Sequence, residues 1–242
     1  MEAIRTHGLT KQYKNLTVVN DLDLVVHEGE LFSLLGVNGA GKTTTVKMLS
    51  CVTRATSGDA FLGGHSVRTQ AQQVKGIIGV SPQETAVAPM LTVQENLKFI
   101  GSLYGFPKEK QAQRIAELAA QFGLDSMLDR KAGKLSGGWQ RRLSIAMALI
   151  SEPEILFLDE PTLGLDVLAR NDLWDYIRSL KGSMTMVLTT HYMEEAEALS
   201  DRVGIMKGGK LLALGTVDEI KIQAGTTDFE EAFVAIVRGA AQ

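Results

Sequence analysis

The chain has a single cysteine, Cys51, in 242 residues. One thiol cannot close an internal disulfide, so nothing in the sequence points to an oxidising compartment. Cys51 sits in the stretch Met48-Leu49-Ser50-Cys51-Val52, which reads as the end of an apolar helix. A small core residue is expected there. Long apolar runs are lacking as well. The N-terminus, Met1-Glu2-Ala3-Ile4-Arg5, has no apolar signal core, and no stretch approaches the roughly 18 residues that a membrane helix needs. If the protein acts at a membrane, it acts beside it. Charge of one sign is also scarce, since 25 Lys and Arg against 28 Asp and Glu leave a net charge of -3. Displacing counterions from nucleic acid requires a basic surface, so no nucleic-acid partner is expected. There is no internal repeat, low-complexity tract or heptad run. What is present is an ordinary globular balance, 45% hydrophobic and 22% charged, sufficient for a sizeable core.

The pattern along the chain changes twice. Residues 16–26 alternate and break at Glu28-Gly29. Residues 31–35 are apolar and stop at Gly36, and 41–50 then carry helical spacing. This order is strand, tight loop, helix. Residues 57–62 and 77–81 read as further strands. From about 92 to 151 the texture turns helical. Val93, Leu97 and Ile100 recur at helical spacing, and a second helix through Ile115, Leu118 and Phe122 closes at Gly123 as a C-cap. A third runs from after Ser136 to Ile150. Strands return after Pro153. Residues 155–158 are continuously apolar, as in a parallel strand covered on both faces. Residues 167–180 read as helix, 185–190 as strand and 193–199 as helix. Residues 202–206 and 210–214 flank Lys207-Gly208-Gly209 as a hairpin, and 229–237 read as a last helix. The expected fold is α/β, a mostly parallel sheet with an inserted helical subdomain.

Two motifs carry chemistry. Gly36-Val37-Asn38-Gly39-Ala40-Gly41-Lys42-Thr43 fits G-x4-G-K-[ST], the Walker A pattern. Glycines let backbone N–H groups turn inward toward phosphate oxygens, and a helix starting near Gly41 aims its positive dipole end at the same place. Lys42 supplies a point charge to the phosphates. The Thr43 hydroxyl can ligate Mg2+, and Thr44 closes the loop. Further on, Ile155-Leu156-Phe157-Leu158-Asp159-Glu160 is an apolar strand ending in two acids. Ligands sit beyond the carboxyl ends of parallel strands, so Asp159 is expected to hold Mg2+ and Glu160 to act as general base toward the attacking water.

Leu135-Ser136-Gly137-Gly138-Trp139-Gln140 opens the last helix of the inserted subdomain. Here the sequence resembles the ABC (ATP-binding cassette) ATPases, whose signature reads LSGGQ, with Trp139 as the departure. Ser136 also reads as an N-cap, and an open helix N-terminus is itself an anion site. Other family elements follow in the family's order. Gln83 matches the Q-loop glutamine, which contacts Mg2+ and the water region. Asp166 matches the D-loop, and His191 the switch histidine at the γ-phosphate. Tyr13 stands where the family places an aromatic on adenine. The resemblance covers roughly residues 2–237.

The resemblance implies a P-loop NTPase (RecA-like) core with an N-terminal antiparallel β subdomain and an inserted α-helical subdomain. Within one ABC ATPase domain spanning 1–242, residues 1–88 and 153–225 would form the core, 89–152 the helical subdomain and 226–242 a C-terminal helix and tail. It also implies ATP and Mg2+ as ligands, with Lys42, Gln83, Glu160 and His191 catalytic and with Thr43, Gln83 and Asp159 around the metal. In this family two cassettes pair head to tail, so Ser136, Gly137 and Gly138 would cap the ATP held by a second cassette. A transporter role requires a separate transmembrane permease, docked at about residues 83–104 with Met90, Leu91, Phe99 and Leu103. The chain would then lie peripherally on the cytoplasmic face of the membrane. The stretches from His191 to Glu197, Gly208-Gly209-Lys210 and Asp228 to Phe233 look most like ABC-2-type exporters. Soluble ABC ATPases that act on nucleic acid or ribosomes are the alternative, but these carry paired cassettes, coiled coils or zinc-binding cysteines. A nonhydrolytic nucleotide sensor is disfavoured by Glu160 and His191. Two charged groups are expected at the surface: Glu194, Glu195 and Glu197 as a solvated helix face, and Arg141-Arg142.

Overall fold

In the computed structural model, which describes residues 1–239, two long strands open the chain. These are β1 (Glu2–Tyr13) and β2 (Leu16–His27). β3 (Leu31–Gly36) leads through a tight loop into α1 (Lys42–Leu49), followed by β4 (Ser57–Leu62), β5 (His65–Ser66), α2 (Ala71–Ile77) and β6 (Ile78–Ser81). The helical stretch comprises α3 (Val93–Leu103), α4 (Lys108–Phe122) and α5 (Gly137–Leu149). The chain then runs through β7 (Ile155–Asp159), α6 (Val167–Leu180), β8 (Thr185–Thr190), α7 (Met193–Leu199), β9 (Arg202–Lys207), β10 (Lys210–Gly215), α8 (Val217–Ala224) and α9 (Phe229–Gly239). The expected tail over 226–242 is thus a helix, and its last three residues lie outside the described residues.

Two sheets result. One is antiparallel, in the order β2-β1-β4-β5; the other has six strands in the order β10-β9-β3-β8-β7-β6. The larger sheet is parallel except for the β9–β10 hairpin at its edge. Alternation along its central strands divides the core between the sheet's two faces. Leu156, Leu158 and Leu188 join a cluster with Leu97, Leu118, Phe122 and Leu143 of the helical stretch. Phe157, Val187, Phe32 and Leu34 point the other way, toward Leu9, Leu22 and Leu24 of the antiparallel sheet. The inserted helices therefore share a core with the sheet and have no separate one. Each fully buried Leu or Phe of this kind contributes about 1.5–3 kcal/mol.

Parallel pairing places the carboxyl ends of β3, β8 and β7 side by side. Gly36, Thr190 and Asp159 end those strands, so the loops that follow open onto one edge of the sheet. That edge is where the two sequence motifs meet.

Three expectations about burial are corrected. Cys51 is half-buried and lies beyond the end of α1 at φ +57°, because the helix stops one residue earlier at its C-cap, Ser50. Partial burial raises its thiol pKa. Arg141 and Arg142 are buried because α5 is packed on nearly all sides between the other helices and the sheet. Glu195 is buried as well, whereas Glu194 and Glu197 are exposed. It shares the inner face of α7 with Leu199 one turn on.

Candidate active site

Gly36 and Gly41 allow the phosphate loop to form. A Cβ on Gly36 would lie 2.4 Å from the Met206 carbonyl oxygen, and Gly41 holds φ +107° just before α1. No side chain caps α1, so its first N–H groups remain available to an anion. The loop lines a cavity of about 380 Å³ with Asn38, Gly39, Ala40, Gly41, Lys42, Thr43 and Thr44. Gln83, Glu160 and His191 enter the same cavity from three other segments.

Glu160 is its electrostatic centre. Its carboxylate lies 3.2 Å from Lys42 Nζ and 2.7 Å from His191 Nδ1. Lys42 and Glu160 are both buried, so their mutual field is little screened by water. Lys42 Nζ also donates to the Gly36 carbonyl at 2.6 Å. Glu160 holds a left-handed backbone, φ +50°, which in a non-glycine residue costs on the order of 1–3 kcal/mol. Its N–H donates to the Thr189 carbonyl at 3.0 Å and to the Thr189 hydroxyl at 3.1 Å, which fixes the turn.

Asp159 and Thr43 meet behind the phosphate position. Thr43 Oγ1 donates to Asp159 Oδ1 at 3.0 Å, and the Thr189 hydroxyl donates to the same oxygen. A buried carboxylate beside a hydroxyl, adjoining a phosphate site, is a hard oxygen donor set that fits Mg2+.

Other predicted residues stand apart. Tyr13, half exposed at the end of β1 with Lys11 Nζ 4.7 Å above its ring, does not line the cavity; Val18 of β2 does. Asp166 caps α6 by accepting from the Ala169 N–H at 2.9 Å. Ser136 occupies the N-cap position of α5, but its hydroxyl makes no capping bond. Ser136, Gly137 and Gly138 lie outside the cavity.

The family described as ABC transporter matches residues 19–163. The daunorubicin/doxorubicin resistance ATP-binding protein DrrA of Streptomyces peucetius is 42% identical over 225 residues, covering 93% of this chain and 68% of that protein. The structure of an ATP-binding subunit of an ABC transporter superposes with a TM-score of 0.87 at 28% identity, over 97% of this chain and 99% of that one. A dimeric, post-hydrolysis structure of the ATP-binding cassette MJ0796 bound to ADP and Pi superposes with a TM-score of 0.80 at 25% identity, over 88% of this chain and 98% of that one.

The chain belongs to the ABC transporter family. As an ABC ATPase it binds ATP and hydrolyses it to drive transport, and its fold is the mixed α/β cassette with an antiparallel β subdomain and helical elements. Sequence reading missed two features of this cassette. Arg141 reaches back to the segment bearing Gln83, donating to the Pro82 and Gln83 carbonyls at 2.7 and 2.6 Å. Residues 143–150, Leu-Ser-Ile-Ala-Met-Ala-Leu-Ile, are apolar around most of the helix circumference, a signal that could have placed both arginines indoors. Trp139, the departure in the signature, stacks on the Arg142 guanidinium at 4.5 Å; Tyr176 lies 4.7 Å from that guanidinium, and Asp172 accepts from it at 2.7 Å. The indole therefore faces the helical packing.

Proposed function

We propose that this cassette is the ATPase subunit of an ABC-2-type exporter and drives translocation through a separate transmembrane permease. The carrying observation is the convergence of Lys42 and His191 on the Glu160 carboxylate inside the cavity of the phosphate loop. The names of relatives such as DrrA support export.

In this reading the N–H groups of residues 36–44 and the Lys42 ammonium hold the ATP phosphates. Glu160 accepts the proton of the attacking water, and His191, hydrogen-bonded to Glu160, orients that carboxylate and faces the γ-phosphate. Thr43, Asp159 and Gln83 would hold Mg2+, which supplies charge neutralisation on the phosphates. Most of the rate enhancement is then positioning and electrostatic preorganisation. Tyr13 borders the adenine, and the signature residues Ser136, Gly137 and Gly138, with Asp166, complete the site of a second cassette.

The division into a core of 1–88 and 153–225, a helical subdomain of 89–152 and a tail is part of this proposal. So is the docking face. Met90, Phe99, Leu103 and Tyr104 are exposed apolar side chains, and Leu103 and Tyr104 border a largely apolar cavity of about 330 Å³ with Ile100, Met147 and Ala148. Among the described residues no helix is long and apolar enough to cross a membrane, consistent with a peripheral subunit on the cytoplasmic face.

Glu160→Gln tests the mechanism. The variant is expected to bind ATP with unchanged affinity while kcat falls by about two to four orders of magnitude, the range for losing a general base. Turnover near the wild-type rate would remove Glu160 from the base role.

A further inference from the structure

Glu195 is 0% exposed, yet it sits among acids that are not. Glu194 and Glu197 pair at the surface with Arg170 and Lys221. Glu195 has no cation within ion-pair distance among the described residues. Its Oε1 accepts from Trp174 Nε1 at 3.1 Å. The charged groups that bear on it are Glu160 at the end of β7 and Arg141 on α5, while Arg170 stacks on the Trp174 ring at 5.3 Å. Burial pushes this carboxyl above the ordinary carboxylate range. The charge of Glu160 acts in the same direction, and the Thr190 and Thr162 hydroxyls and the Trp174 N–H act against it.

A second observation concerns unpartnered atoms. Glu195 Oε2 and Thr162 Oγ1 are both inaccessible and neither makes a hydrogen bond of good geometry, although the Thr162 and Thr190 hydroxyls lie close enough to Glu195 to favour its charged form. Buried polar atoms without partners are rare and costly. Thr162 follows Glu160 by two residues, and Thr190 immediately precedes His191. The Glu195 carboxyl therefore lies where α6, the turn after β7 and the end of β8 converge. The left-handed backbone at Glu160 persists only if its surroundings hold it there.

We propose that Glu195 is a positioning residue for ATP hydrolysis, its carboxyl group bracing the turn of residues 160–162 against the end of β8 and so setting the geometry between Glu160 and His191. It does not line the nucleotide cavity. A neutral carboxyl can accept from Trp174 and donate to a hydroxyl at the same time. An anion there would instead add a second negative charge beside Glu160.

The proposal rests on the hydrolysis reading above, and its test separates the two. Steady-state ATP hydrolysis and ATP affinity are measured on the full chain for wild type, Glu160→Gln, Glu195→Gln and Glu195→Ala. Glu195→Gln, which mimics the neutral acid, is expected within about twofold of the wild-type kcat; Glu195→Ala is expected to lose about tenfold or more in kcat with ATP affinity unchanged. Wild-type kcat in Glu195→Ala overturns the brace, as does a loss of ATP affinity in step with kcat. Glu195→Gln falling as far as Glu195→Ala overturns the neutral acid. If wild type and Glu160→Gln turn over equally, the base role of Glu160, on which this proposal rests, fails instead.

Unfolding against pH gives an independent reading. The folded pKa is raised above 4.5. The stability contributed by the protonated group is therefore fully present below about 4.5 and lost as pH rises through the raised value. Glu195→Gln cannot ionise, so it should gain on wild type across that window; a difference that does not vary with pH overturns the neutral brace.

Discussion

The guanidinium of Arg141 is buried beneath the segment that carries Gln83, and two backbone carbonyls, those of Pro82 and Gln83, are its hydrogen-bond acceptors. Burial lowers its pKa from the ordinary value, while the charge of Asp159 acts to raise it. The guanidinium fork reaches both carbonyls at once, a geometry that a lysine ammonium cannot copy. Arg141→Ala would leave the two carbonyls without this donor and release the segment that brings Gln83 into the cavity. Hydrogen bonds to a charged group contribute about 1.5–3 kcal/mol each in such settings, so the unfolding free energy from urea titration should fall by about 2–3 kcal/mol after partial replacement by water. kcat for ATP should fall with it, because Gln83 loses its backbone anchor. Arg141→Lys should recover only part of either quantity, and full recovery would assign the residue a charge role alone.

At the scale of elements, α3 illustrates how local chemistry fixes an end. Thr92 Oγ1 accepts from the Glu95 N–H at 3.1 Å, and Glu95 Oε2 accepts from the Thr92 N–H at 2.7 Å, a reciprocal capping box. The helix buries Val93 and Leu97 and leaves Phe99 and Leu103 exposed on the proposed docking face. Thr92→Ala is expected to cost about 1 kcal/mol, a drop of roughly 2–4 °C in Tm for a chain of this size. ATP affinity should not change, since α3 does not line the cavity. Elements with strong internal period were legible in the sequence: α6, β8 and α7 begin and end where the spacing of apolar residues places them. α2 and α8 were not, because each buries a single side chain, Val74 and Ile220, and one anchor makes no period. The active site divides the same way. The phosphate loop and the Asp159-Glu160 pair were legible because their chemistry is contiguous along the chain. The burial of Arg141 and Glu195 was not, because it depends on which distant segments α5 and α7 pack against. For Glu195 one signal existed: it lies four residues before the apolar Leu199, on the face that Trp174 covers, and a buried indole N–H needs an acceptor.

At the scale of the whole molecule, the signature segment and the nucleotide cavity belong to different parts of the chain, and Ser136, Gly137 and Gly138 do not line the cavity. The free Ser136 hydroxyl and the uncapped start of α5 leave N–H donors without an intrachain cap, and in the proposed pairing these would meet an anion carried by the second cassette. Beside the cavity, Leu163 forms part of its wall, and Val167 and Leu168 extend an apolar surface away from it, Leu168 being 77% exposed. Exposed apolar side chains clustered at the rim of a charged site mark a contact surface. The MJ0796 cassette, of closely similar fold, is a dimer in its complex with ADP and Pi. If ATP closes two copies of this chain over these residues, a charge at Leu168 should block closure without disturbing nucleotide binding by the single cassette. Glu160→Gln with Mg-ATP is then expected to elute at dimer mass, and the double variant Glu160→Gln, Leu168→Glu at monomer mass. In an otherwise wild-type chain, Leu168→Glu should lower kcat by about tenfold or more while the ATP affinity of the single cassette stays within about twofold, because the phosphate loop of one chain holds the nucleotide and the second cassette completes the site for hydrolysis. A double variant that still dimerises would place the contact on another surface.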